Sequence, residues 1–87
     1  MKMIITIIKD DEAEKIIQSL TSNKYRVTRI ASTGGLFRKG NTTLLSGVED
    51  EVVEDFIQNV KESVSSRSPK EKILTLFVIP VDRYERI

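Results

Sequence analysis

Strand-like and helix-like segments follow one another along this 87-residue chain in the order βαββαβ, which predicts an α+β sandwich of the ferredoxin-like kind. Three observations carry the prediction. Apolar, β-branched residues run almost unbroken through Met3–Ile8 and Ile73–Ile79, as in strands covered on both faces. Two segments repeat apolar residues at the helical spacing. Between those two segments lies a pair of strand-like runs joined by a short glycine-bearing loop.

Taken in order, Lys2–Ile8 predicts the first strand. Asp11 stands three residues before Glu14, a pattern that can cap a helix, and Ala13, Ile16, Ile17 and Leu20 give that helix its buried stripe until it stops near Ser22 and Asn23. Tyr25–Thr33 predicts a strand, Thr33–Gly40 a turn and Asn41–Val48 the returning arm. The acidic residues Glu49, Asp50, Glu51, Glu54 and Asp55 suit the start of a second helix, where the macrodipole favours negative charge. Its stripe is Val52, Val53, Phe56, Ile57 and Val60, and it runs out in the serine-rich stretch Ser63–Ser68. After Pro69, Ile73–Ile79 predicts the last strand, ending at Pro80.

The composition narrows function. Residues 1–87 are long enough for a single domain with one modest core. Fourteen basic residues against thirteen acidic ones leave a net charge of +1, so no overall field attracts a nucleic acid polymer or an anionic membrane, and any anion site has to be local. Without cysteine or histidine there are no disulfides, no thiolate nucleophile, no histidine-based triad and none of the common zinc ligand sets. A non-enzymatic protein without metal or cofactor is expected. The apolar run Met3–Ile8 is too short for a signal-peptide core or a membrane span, which points to the cytoplasm.

Two helices can cover only one sheet face, yet the first and last strands are apolar at both phases of their alternation. The uncovered face needs a partner, and self-association through the sheets is the natural solution.

The binding candidates cluster in RVTRIASTGGLFRKGNTTLLSGV, residues 26–48. Backbone N–H groups of Gly34 and Gly35, with Arg38 or Lys39 nearby, can cradle an anion; the same residues also make an ordinary hairpin tip. Leu36 and Phe37 offer apolar surface, flat in the case of Phe37, to a ligand or to a neighbouring subunit. Arg26 and Thr28, two apart in a strand, share a face and can converge on one phosphate, or simply line an exposed strand. The Asn41 amide can read an adenine edge or close the turn. Gly47 weakens an otherwise apolar strand unless a bulge or a close-approaching ligand requires the missing side chain.

These residues also carry a resemblance. The opening KMIITIIKD, the stretch from Arg26 to Val48 with TGG followed by two large apolar residues and then RKGNTT, and the closing LFVIPVDRY resemble the PII-like cyclic di-AMP receptors over nearly the whole chain. The resemblance implies a PII-like homotrimer that binds a nucleotide second messenger, cyclic di-AMP, in the clefts between subunits and signals to a downstream protein partner. Carried over by position, it assigns Arg26 and Thr28 to phosphate, Gly35 with Leu36 and Phe37 to base and phosphate, and Asn41 with Gly47 to the buried adenine. Three features depart from the family: Leu36 precedes Phe37 instead of following it, the linker Ser65–Lys72 is short, and Arg86 replaces a penultimate glutamine. The alternatives are a trimeric protein-interaction module without nucleotide binding and a PII-like sensor of ATP or AMP.

Overall fold

A computed structural model describes residues 1–33, 40–64 and 74–87, with residues 31–33 described by backbone alone. The elements are β1 (Lys2–Lys9), α1 (Asp10–Ser22), β2 (Thr28–Thr33), β3 (Asn41–Val48), a 3-10 turn (Asp50–Val52), α2 (Val53–Ser63) and β4 (Leu74–Pro80). The expected βαββαβ order is present. The strands form one antiparallel sheet in the order β2-β3-β1-β4.

β1 is central and pairs along its length with β3 on one side, from Lys2 opposite Val48 to Lys9 opposite Asn41, and with β4 on the other, from Lys2 opposite Pro80 to Ile8 opposite Leu74. Side chains alternate across a strand. Ile4, Thr6 and Ile8 therefore turn to the helices and are buried, as are their β3 partners Ser46, Leu44 and Thr42. Ala13, Ile16 and Leu20 of α1 and Phe56 and Val60 of α2 close the core over them. Each such large side chain contributes roughly 1.5–3 kcal/mol on burial. Met3, Ile5 and Ile7 occupy the opposite phase and are only half-buried, so within one chain β1 is enclosed on one face alone.

Three boundaries differ from the sequence expectation. α1 begins at Asp10 instead of being capped by Asp11, because β1 passes into it without a loop: the Asp10 N–H donates to the Gly40 carbonyl at 3.0 Å, and its carboxylate accepts from the buried Thr42 hydroxyl. β2 begins at Thr28 instead of Tyr25, since the Tyr25 N–H turns back to the Leu20 carbonyl at 2.9 Å and its ring packs edge-on against Phe56 with centroids 5.1 Å apart. The acidic cluster first forms the 3-10 turn, and α2 follows from Val53. β4 extends to Pro80, which is tolerated because this is an edge strand; Ile73 lies outside the described residues. Among the described residues no helix is long and apolar enough to cross a membrane.

The C-terminus of α1 is a Schellman-type stop. Tyr25 N–H reaches back to Leu20, Lys24 N–H bonds the Thr21 carbonyl at 3.0 Å, and Lys24 takes the left-handed backbone with φ 68°. Glycine adopts that conformation without the Cβ penalty that a lysine carries. Lys24→Gly is expected to raise the free energy of unfolding by about 1 kcal/mol in a urea titration. Unchanged or lower stability would show that Lys24 is not strained there.

Candidate functional site

Register decides which side chains meet on the helix-free face. Thr28 pairs with Leu45, Leu45 with Ile5, and Ile5 with Phe77; one row along, Gly47 pairs with Met3 and Met3 with Ile79. All these residues have the phase opposite to the buried set, so they share the open face. At the end of that face where β1 begins and β3 and β4 finish, a cleft of about 450 Å³ opens, lined by Met1, Met3, Arg26, Thr28, Leu45, Gly47, Val81 and Tyr84. This is within the size range of small-molecule sites, roughly 300–1,000 Å³.

The chemistry of the cleft is one basic side chain, Arg26, and the hydroxyls of Thr28 and Tyr84 against a largely apolar wall. Arg26 is exposed at its edge, and no carboxylate among the described residues pairs with it. Arg29, three residues on, turns to the helix side and donates to Glu14 of α1 at 2.9 Å. Two nearby arginines thus have different fates, one neutralised within the chain and one left facing the cleft. Arg26 precedes β2 and so is not placed by strand alternation, but it and Thr28 both line the cleft, which gives one cavity a guanidinium and a hydroxyl, the donors an anion site uses.

Gly47 forms the floor. It pairs with Met3 in ordinary strand register, with no bulge between β1 and β3, and its backbone lies outside the left-handed region. A Cβ built there would meet only the Met1 sulfur, at 3.9 Å, an ordinary contact. Neither backbone geometry nor internal packing calls for glycine at this position. What the missing side chain provides is depth in the cleft.

Of the residues singled out from sequence, the structure brings together Arg26, Thr28 and Gly47. Asn41 is on the same face, but at the other end of β3, opposite Lys9 and Thr33. Six strand steps separate it from Gly47, about 20 Å. It does not line this cleft. Gly34, Gly35, Leu36, Phe37 and Arg38 lie outside the described residues. Met1, Met3, Leu45 and Val81 were not anticipated as lining residues, and Tyr84 had no assigned role. Met3 and Leu45 become visible only once the register places them beside Gly47 and Thr28.

Two further contacts hold the cleft in shape. The Met1 ammonium is 3.0 Å from Asp50 and, by that hydrogen bond above all, keeps the Asp50 carboxyl below its usual range; the Lys2 charge acts in the same direction against some desolvation. On the other side, Tyr25 anchors the segment that delivers Arg26. Its hydroxyl donates to Asp55 Oδ2 at 2.5 Å, tying the start of β2 to α2.

Comparison with known proteins gives two findings. A family model described as the cyclic-di-AMP receptor matches residues 1–75. A crystal structure of a functionally unknown protein from Pediococcus pentosaceus ATCC 25745 is similar with a TM-score of 0.79 and 29% sequence identity, covering 99% of this chain and 96% of that chain.

The Tyr25 anchor sets a pH dependence. Burial raises its pKa from 10.0 to about 12, and both the hydrogen bond to Asp55 and the charge of that carboxylate act in the same direction. The folded chain keeps a proton that the unfolded chain releases above about pH 10. The stabilisation is therefore complete below pH 10 and is lost as pH rises towards about 12. Tyr25→Phe should be less stable than wild type at pH 8 by about 1 kcal/mol, with the gap closing between pH 10 and 12. A gap that stays constant across that range in paired denaturant titrations would count against the anchor.

Proposed function

This chain belongs to the cyclic-di-AMP receptor family, and from that membership we propose that it is a signalling protein that binds cyclic di-AMP, without transforming it, in the cleft floored by Gly47. The observation that carries the reading is Gly47 itself, a glycine near the end of β3 that the fold does not need, lining the same cleft as Arg26, which pairs with no carboxylate among the described residues. Arg26 and Thr28 take a phosphodiester oxygen, and the apolar wall takes a base, the division of labour that a nucleotide with two flat rings and two single negative charges calls for. On the family resemblance, Gly34, Gly35, Leu36, Phe37 and Arg38 complete the site. The protein acts in the cytoplasm and passes occupancy on to a protein partner.

The same proposal includes a homotrimer. Phe77 is 49% exposed and Ile79 42%, in line with the half-buried Met3, Ile5, Ile7 and Leu45, an apolar face that a lone chain leaves to water. Two further copies cover it. Asn41, about 20 Å from Gly47 along β3, can then meet a nucleotide only if a neighbouring copy brings its own sheet alongside, which is why the site is proposed to be shared between subunits.

Calorimetric titration with cyclic di-AMP is the direct test, with binding by wild type expected and its absence overturning the reading. Gly47→Val should still fold, since valine favours a strand and its Cβ makes only an ordinary contact with the Met1 sulfur, yet lose most of its affinity because the side chain fills the cleft. Arg26→Ala should weaken binding about tenfold or more through loss of a charged hydrogen bond. A Gly47→Val protein that binds normally would move the site elsewhere. Light scattering at micromolar concentration should report three chains, and a stable monomer would remove the shared-cleft proposal.

A further inference from the structure

Tyr84 is the largest side chain in the cleft wall and the least explained by the fold. It is 59% exposed while lining the cavity, so much of it faces water. The tail that carries it is nonetheless held near the floor: the Val81 N–H donates to the Met1 carbonyl at 3.2 Å, extending the β1–β4 pairing by one step, and Val81 itself lines the cleft. Its neighbours Arg83 and Glu85 are engaged with each other at 3.1 Å and do not line the cavity. Only the aromatic ring of this stretch is presented to the site.

The same cleft wall carries two thioethers and an aliphatic side chain, Met1, Met3 and Val81. Thioethers are polarisable and pack well against aromatic faces. A cavity lined by a tyrosine and two methionines can accept a flat heteroaromatic ring, and Arg26 and Thr28 line the same cavity for the attached phosphate. We propose that Tyr84 is the base-recognising residue of the cleft, stacking on a purine laid against Met1, Met3 and Val81 and so favouring purine over pyrimidine nucleotides. This rests on the reading of the cleft as the cyclic di-AMP site. Stacking area separates purine from pyrimidine, because a two-ring base covers more of the tyrosine face than a one-ring base.

The chain is suited to a spectroscopic test, since it has no tryptophan and only two tyrosines. Tyr25 is on the helix side, bonded to Asp55, so in a Tyr25→Phe background emission comes from Tyr84 alone. Adding cyclic di-AMP should quench that emission with the same midpoint as calorimetry on the same protein. Tyr84→Ala should bind roughly 10- to 100-fold more weakly, Tyr84→Phe within about threefold of wild type, and the preference of wild type for cyclic di-AMP over cyclic di-UMP should narrow in Tyr84→Ala. Because the ring is largely exposed, circular dichroism and scattering should be the same for all variants. Wild-type binding with unchanged affinity, an unchanged purine preference in Tyr84→Ala, or unquenched Tyr84 emission would each overturn the proposal while leaving the receptor reading intact. No cyclic di-AMP binding by wild type would overturn both.

Discussion

Everything in this molecule depends on β1 being paired along both edges. A strand with two hydrogen-bonded neighbours has no freedom of register: sliding it by one residue against β3 would exchange Ile4, Thr6 and Ile8 for Met3, Ile5 and Ile7 under the helices. Because β1 is apolar in both phases, hydrophobicity alone does not choose between them. The choice is made by β1's junction with α1, where the Asp10 backbone bonds to Gly40 and its carboxylate accepts from Thr42 on β3. That contact locks the end of β1 to the start of β3, and the phase of the whole sheet follows.

The cleft is a product of the same constraint. Once the phase is set, Met3, Thr28, Leu45 and Gly47 must all emerge on the open face, and the gap at Gly47 becomes a cavity instead of a packing defect in the core. The two arginines divide in the same way. Arg29 falls on the helix side and is consumed by Glu14, whereas Arg26, ahead of the strand, is left to the cleft. A fold that covers only one sheet face thereby leaves an apolar surface and a cleft side by side, with Met3 and Leu45 belonging to both.

Much of this was legible before any coordinates. Element types and order followed from periodicity, as did most of the core: Ala13, Ile16, Leu20, Phe56 and Val60 are buried where the helical stripe put them. Arg26, Thr28 and Gly47 were identified through local rules about strand faces and misplaced glycines, and they do meet. The errors were at boundaries. Tyr25 has strand-forming character, but its ring gains more from Phe56 and Asp55 than its backbone would from a ladder, so β2 starts later. Asp11 has the composition of a cap, but a strand running directly into a helix leaves no cap position for it. Asn41 and Gly47, which the resemblance assigns together to an adenine in a cleft between subunits, lie six steps apart along β3 within one chain.

By itself, then, the sequence determined the things that depend on near neighbours: strand and helix periods, turn chemistry, the lack of thiol and imidazole chemistry, and a motif specific enough to point to a family. The tertiary structure alone decided the things that depend on pairing between distant segments. Met3 came beside Gly47, Val81 was drawn to Met1, and Tyr84 was carried to the wall of a cavity opened by residues some forty to eighty positions earlier in the chain. No local pattern encodes those meetings, because they are set by which edges of β1 are taken by β3 and β4, a property of the whole sheet and of no single segment in it.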